Sequence, residues 1–257
     1  MTLSHVCFSG HIKFINYIPW RRIGNLTAIA VICRDISQGS ALINRKGIHM
    51  EIDAEKYDRI ARMVFSPVYP LIADQIIART GVTQGVCMDV GCGGGYLGAA
   101  LARSSKLYVH FFDRSEEMLA IAKRTIAQNN LQERADTLQG DVAAIGLPDG
   151  SVNLAVSRGS VFFWEDLTQA FREIHRVLAP HGWAYIGGGF GSRELKESIE
   201  REMSSRNQEN EQFRNKVRRN LGPETRSRFE TALQTAGIDS FSILHGDDIG
   251  LWLVMRK

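Results

Sequence analysis

Ten consecutive residues, Asp89-Val90-Gly91-Cys92-Gly93-Gly94-Gly95-Tyr96-Leu97-Gly98, constrain this chain more than any other stretch. They grow out of the apolar run Val86-Cys87-Met88-Asp89-Val90, which has the length and character of a short buried strand. Glycine fills five of the eight positions from Gly91 to Gly98, more than a plain strand-to-helix turn needs. Without a Cβ the main chain can turn sharply and lie close against a ligand. The helix expected over Gly95–Arg103 would add N–H groups that have no partner within the helix.

The alternation of short apolar runs with amphipathic stretches continues along the chain. Upstream, helices are expected over Asp53–Phe65, with Asp53 as N-cap, and over Val68–Arg79, closed by Gly81. Downstream, Leu107–Phe112 reads as a strand ending at Asp113, and Ser115 caps a helix reaching about Gln128. Ala135–Gln139 is a strand ending at Gly140-Asp141, and Val152–Ser157 is the next. A helix over Asp166–Leu178 is stopped by Pro180, and a strand over Trp183–Gly187 runs into the cluster Gly187-Gly188-Gly189. Arg193–Asn220 is charged, poor in apolar residues and best divided into two helices. Pro223–Ala236 is a helix, and Ser240–His245 and Ile249–Met255 are strands. This order predicts a doubly wound α/β fold: a mostly parallel seven-stranded sheet with helices on both faces. Ligands of such sheets bind at the carboxyl ends of the strands, near the reversal of strand order.

Composition sets outer limits. A chain of 257 residues with 44% hydrophobic residues is neither collagen-like nor mostly disordered. Its four cysteines, Cys7, Cys33, Cys87 and Cys92, form no CxxC pair, so a disulfide scaffold or zinc ribbon is not expected and a reducing, cytoplasmic compartment fits. The net charge of +3 is unevenly placed: residues 1–49 hold six basic side chains and one acid, which leaves 25 basic and 27 acidic residues in 50–257. A slightly acidic body is weak support for a nucleic-acid or membrane partner.

Residues 1–49 have no clear period and no signal-peptide order. The text changes at Met50, after Arg45-Lys46-Gly47, a tripeptide that a purine-rich, ribosome-binding run of codons encodes. Met50 is therefore expected to be the true start, with 1–49 a non-native or disordered extension; the other reading is a genuine flexible tail. N-terminal sequencing of the native protein is expected to return Met50 or Glu51, and a native peptide from residues 1–45 would overturn this.

Two cofactors compete for the glycine loop. Gly93, Gly95 and Gly98 match the dinucleotide pattern G-x-G-x-x-G, and Asp113 stands where a ribose-binding acid would. Against that, Asp89 lies inside the strand before the glycines, where a carboxylate suits a cationic amino group and repels a pyrophosphate. A second acid, Asp141, ends the third strand, where a nicotinamide site requires none.

Asp89-x-Gly91-x-Gly93-x-Gly95, then Asp113, then Gly140-Asp141, resembles the class I, seven-stranded S-adenosylmethionine-dependent methyltransferase family. The segment from Phe171 to Trp183 resembles the helix, turn and strand that follow the fourth strand in its small-molecule branch. The resemblance spans about Tyr57 to Lys257. It implies an antiparallel last strand, a helical lid over 52–80 and a helical insert over 192–222. It also assigns roles. Gly91, Cys92, Gly93 and Gly95 would hold the methionine part of the cofactor, with Asp89 near its amino group. Asp113 would accept from the ribose hydroxyls, Arg114 and Met118 would flank the adenine, and Asp141 and Val142 would meet its edge. Ser157 and Arg158 would face the sulfonium and the acceptor, and Tyr57 the methyl region.

The segment after the fourth strand, Ser157 to Asp166, lacks the Asn/Asp-Pro-Pro-aromatic motif of amino methyltransferases, which argues against base methylation. Phe162, Phe163 and Trp164 offer a wall for an apolar acceptor or pack on the sheet, and Arg158 suits an anionic acceptor or a surface ion pair. Glu165 or Asp166 is placed to act as general base or to cap the next helix. The expected function is in-line methyl transfer from S-adenosylmethionine to a small molecule, with Arg158, Tyr57 and Glu165 as candidate catalytic residues and no metal. The alternatives are an NAD(P)-dependent oxidoreductase and a non-catalytic S-adenosylmethionine-binding module.

Overall fold

The computed structural model describes residues 54–205, 209–246 and 248–257. The expected N-cap Asp53 and the whole of 1–49 lie outside the described residues. The chain divides into two units after Glu51, and every described residue belongs to the second.

Two helices lead, α1 (Ala54–Met63) and α2 (Val68–Thr80). Then come β1 (Gln84–Val90), α3 (Tyr96–Arg103), β2 (Lys106–Asp113), α4 (Glu116–Gln128), β3 (Ala135–Gln139) and β4 (Val152–Arg158). After a single 3-10 turn at Val161–Phe163 follow α5 (Leu167–Val177), β5 (Leu178–Gly188), α6 (Arg193–Ser205), α7 (Glu209–Asn220), α8 (Pro223–Ala236), β6 (Phe241–Gly246) and β7 (Gly250–Arg256). The seven strands form one sheet in the order β3-β2-β1-β4-β5-β7-β6. All pairs are parallel except those made by β7, which runs antiparallel to both β5 and β6. The strand order reverses between β1 and β4, so the chain ends there open outward on the carboxyl edge of the sheet. A dinucleotide fold keeps its strands parallel in the order 3-2-1-4-5-6, and the inserted antiparallel β7 departs from it.

Alternate residues feed two cores. Cys87, Phe111, Val156, Tyr185 and Trp252 pack under α2, α3, α4 and the α6–α7 pair. Met88, Phe112, Ala155, Ile186 and Leu253 pack under α5 and α8. Sequence signals set most helix ends. Gly81 closes α2 at φ 68° with its N–H on the Ile77 carbonyl, and the Ser115 hydroxyl accepts from the Met118 N–H. Asp166 accepts from the Gln169 N–H at the start of α5.

One expectation is corrected. The helix over Asp166–Leu178 ends at Val177 and passes without a loop into β5, which begins at Leu178 rather than Trp183. Pro180 does not break the chain because the β4–β5 register shifts between Val152 and Leu154, leaving a bulged stretch that tolerates a missing donor. The charged residues of α6 and α7 are mostly exposed, while Leu195, Ile199, Met203, Phe213 and Val217 turn into the core. The glycines at 187–189 serve strand packing. A Cβ at Gly187 would strike the Leu251 main chain, at Gly188 the Phe162 ring, and at Gly189 the Ile249 carbonyl.

Gly187→Ala therefore forces a methyl into the β5–β7 pair. It is expected to cost about 3 kcal/mol, read as a lower urea midpoint, since backbone cannot yield as a side chain does. An unchanged midpoint would mean that β7 shifts freely away from β5.

Candidate active site

The cleft at the carboxyl edge has a volume of about 320 Å³ and is walled by the glycine loop, the ends of β2, β3 and β4, the 3-10 turn and α1. The loop is fastened by its own main chain. The Gly91 and Cys92 N–H groups both donate to the Phe112 carbonyl, at 2.7 and 3.0 Å, and the Gly93 N–H donates to Asp113 Oδ2 at 2.9 Å. The buried Thr125 hydroxyl donates to the Gly94 carbonyl at 2.7 Å.

Each glycine has its own reason. Gly91, Gly93 and Gly95 have φ of 64°, 53° and 80°, the left-handed region that L side chains rarely adopt. A Cβ at Gly91 would run into Ser160, and one at Gly95 would come within 2.7 Å of the Phe111 ring. At Gly93 the first atom met is Tyr57 Cε1 at 3.8 Å, so of these three only Gly93 leaves its missing side chain open toward the cleft. The expectation of close ligand approach thus narrows to Gly93, and the others admit the protein's own packing.

Asp89 is 1% exposed, and its Oδ2 accepts from the Gly98 N–H at 2.9 Å. Its second oxygen accepts no hydrogen bond among the described residues. Burial drives the pKa of this carboxyl up to about 7; the Gly98 N–H opposes the rise and Asp113 adds to it. Asp113 stands nearer solvent, with Oδ2 on the Gly93 N–H and Oδ1 on the Ser115 N–H at 2.9 Å. Asp141, exposed at the far end, folds Oδ1 back onto the Ala143 N–H at 2.8 Å. Arg114, Met118 and Val142 line the same end.

Cys92 lines the cleft too, but burial and the two acids Asp89 and Asp113 hold its thiol well above the ordinary range, so it is protonated rather than nucleophilic. Arg158 reaches across with two bonds to the Gly189 carbonyl, from Nε at 3.3 Å and Nη2 at 3.1 Å. Its guanidinium lies 4.9 Å from the Phe65 ring centre and 5.2 Å from that of Tyr69. Tyr57 leans over the loop from α1, its phenol pushed up by burial and by Asp113 against the opposing pull of Arg158.

Two expected residues stand elsewhere. Gly95 is behind the loop, and Ser157 is fully buried, sharing a 2.6 Å bond with the Ser160 hydroxyl. Ser160 is the one at the wall, and its Oγ donates to the Val90 carbonyl at 2.9 Å. The aromatic run divides: Phe163 and Trp164 line the cleft, while Phe162 turns inward to stack on Phe229. Asp166 is taken up by capping α5, which leaves Glu165 at the wall.

Sequence reasoning passed over Ser160, Tyr69 and Tyr96. Tyr69 and Tyr96 pack 5.4 Å apart, and the Tyr96 hydroxyl donates to Asp58, tying α1 to the start of α3. Nothing in the local pattern marks them, since each reads as an ordinary apolar position of a helix.

The buried Asp89 carboxyl carries a pH signature. Its folded pKa lies above the ordinary value of 3.8, so its contribution to stability is complete below that value and is lost as pH rises through about 7. Asp89→Asn removes the titration. Without ligand, the variant's melting temperature is expected to gain on the wild type by on the order of 5 °C between pH 5 and 8. A constant difference over that range would mean that Asp89 ionises as a solvated carboxylate does.

Comparison with known proteins agrees with this geometry. Residues 88–186 match the methyltransferase domain family. A malonyl-[acyl-carrier protein] O-methyltransferase of Halorhodospira halophila is 31% identical over 161 residues, 60% of this chain and 52% of that protein. A demethylmenaquinone methyltransferase of Chlorobaculum tepidum is 35% identical over 99 residues, 38% of each chain. The chain thus spans between about a quarter and three fifths of the length of the curated relatives it matches. A crystal structure from Methanococcus maripaludis, assigned as an S-adenosyl-L-methionine-dependent methyltransferase, superposes with a TM-score of 0.76 at 44% identity, covering 79% of this chain and 91% of that one. With this identity over nearly the whole of that protein, and with the sheet order and acid-lined cleft described above, the chain belongs to the class I S-adenosylmethionine-dependent methyltransferase family.

Proposed function

We propose that the protein methylates a small-molecule acceptor in this cleft, with S-adenosylmethionine as cofactor. The carrying observation is the buried Asp89 carboxylate, one of whose oxygens has no partner among the described residues. A buried anionic oxygen of this kind calls for a cation or donor from a ligand, and the amino group of the cofactor is both. The rest of the cleft fits the same group. Asp113 retains lone pairs on two oxygens for a pair of ribose hydroxyls, and Asp141 and Val142 line the cleft and suit an adenine edge. Met118 and Arg114 supply flanking surface for the ring. Two acids near the glycine loop disfavour the pyrophosphate of a nicotinamide cofactor, and the reversed β7 argues against that fold.

When bound, S-adenosylmethionine supplies a methyl group already activated by its sulfonium. The chain's own task is then positional. Tyr57, Phe163 and Trp164 exclude water and press on the acceptor, and Arg158 orients it. Glu165 takes a proton from the acceptor atom where that atom carries one. The named relatives act on unlike acceptors, demethylmenaquinone in one case and malonyl-[acyl-carrier protein] in the other, so neither acceptor transfers to this chain. The near-neutral charge of 50–257 supports a small molecule rather than a nucleic acid or a membrane surface, and the few cysteines support a cytoplasmic setting. Among the described residues no single helix is long and apolar enough to cross a membrane.

Calorimetric titration of the full chain with S-adenosylhomocysteine, NADH and NADPH is expected to show micromolar binding of the first alone. Binding of a nicotinamide cofactor instead would overturn the proposal. Asp113→Ala is expected to weaken S-adenosylhomocysteine by about 1.5–3 kcal/mol, the loss of charged hydrogen bonds. An unchanged affinity would remove Asp113 from the ribose site.

A further inference from the structure

Arg158 is a cation without a counter-ion. Among the described residues no carboxylate lies within 4 Å of its guanidinium, and its protein partners are the Gly189 carbonyl and the faces of Phe65 and Tyr69. It is half-buried and reaches the cleft wall. A desolvated guanidinium held by one neutral acceptor keeps most of its five donors and nearly all of its charge free for a ligand.

Arg114 lines the cleft together with three acids at the strand ends. Asp89, Asp113 and Asp141 come from the ends of β1, β2 and β3. The groups around Arg158 come from elsewhere: Phe65 from the α1–α2 turn, Tyr69 from α2 and Gly189 from just past β5. Phe65 in turn packs on Phe190 and Phe213, so this side is an aromatic floor carrying one cation. Phe163 is 41% exposed at the cleft wall, and Lys216 of α7 lies 4.8 Å from its ring centre. Glu165 and Asp166 also line this side, but Asp166 is bonded to the Gln169 N–H and neither reaches Arg158.

We propose that Arg158 anchors an anionic group, a carboxylate in the simplest case, on a methyl acceptor whose apolar body packs against Phe163 and Trp164. The inference rests on the methyltransferase reading of the cleft and names the acceptor class within it. A cation beside a sulfonium is unfavourable unless an anion lies near both, and an anionic acceptor would meet that need. The competing source of the same chemistry is the carboxylate of the cofactor's own methionine part.

The test uses the full chain saturated with S-adenosylhomocysteine. Matched pairs of small aromatic and aliphatic carboxylates and their neutral amides, such as phenylacetate and phenylacetamide, are titrated by calorimetry. At least one carboxylate is expected to bind at least about tenfold more tightly than its amide. That preference is expected to vanish in Arg158→Gln and to survive in part in Arg158→Lys, while both variants keep S-adenosylhomocysteine affinity within about twofold. If no carboxylate outperforms its amide on the wild type, the proposal fails. It fails equally if Arg158→Gln lowers S-adenosylhomocysteine affinity at least about tenfold with Arg158→Lys restoring it, which assigns the anion to the cofactor. Failure of the wild type to bind S-adenosylhomocysteine would instead overturn the cofactor reading itself.

Discussion

Everything at the carboxyl edge depends on how the Gly91–Gly95 loop is clamped. Phe112 receives two of its N–H groups, Asp113 a third, Thr125 holds a carbonyl from above, and Ser160 fills the space that a side chain at 91 would need. The clamp joins β1, β2, α4 and the turn after β4 at one point. Such a loop cannot drift, because its donors are already committed, and the surface it presents is set before any ligand arrives. Asp113 thereby has two duties, holding the loop and facing the cleft, and the same pattern of shared duty recurs at Ser160.

The electrostatics follow from depth. Asp89 lies deep enough that burial outweighs the Gly98 N–H at the start of α3, so the carboxyl stays partly protonated near neutral pH until a donor or cation meets it. Asp113 and Asp141 sit progressively closer to solvent. Arg158 stands on an aromatic floor. The cleft is therefore graded from a buried acid at one end of the glycine loop to an exposed acid at β3, and the Arg158 guanidinium meets no carboxylate among the described residues.

The leading helix α1 is tied to the loop by side-chain contacts. Tyr57 rests over Gly93, and the Tyr96 hydroxyl holds Asp58, so α1 covers the loop from above. On the other flank α7 brings Lys216 to Phe163. Both covers are helices, and both contribute side chains whose partners are far away in sequence.

The local text determined the strands, most helix ends and the chemistry of the loop. Short apolar runs, Ser115, Asp166, Gly81 and the glycine spacing are short-range signals, and each acts within a few residues of itself. From them the acids at 89, 113 and 141 were legible, because each ends a strand and a parallel sheet brings strand ends together. The tertiary structure alone decided what required distant segments to meet. It moved Ser157 behind Ser160, divided Phe162 from Phe163 and Trp164, carried β5 through Pro180, and turned α6 and α7 into the core. It also brought Tyr69 and Phe65 to Arg158. The physical reason is common to all of these: which side of a turn faces a ligand depends on which neighbouring backbone approaches closely, and that is a property of packing between elements that no single stretch of sequence contains.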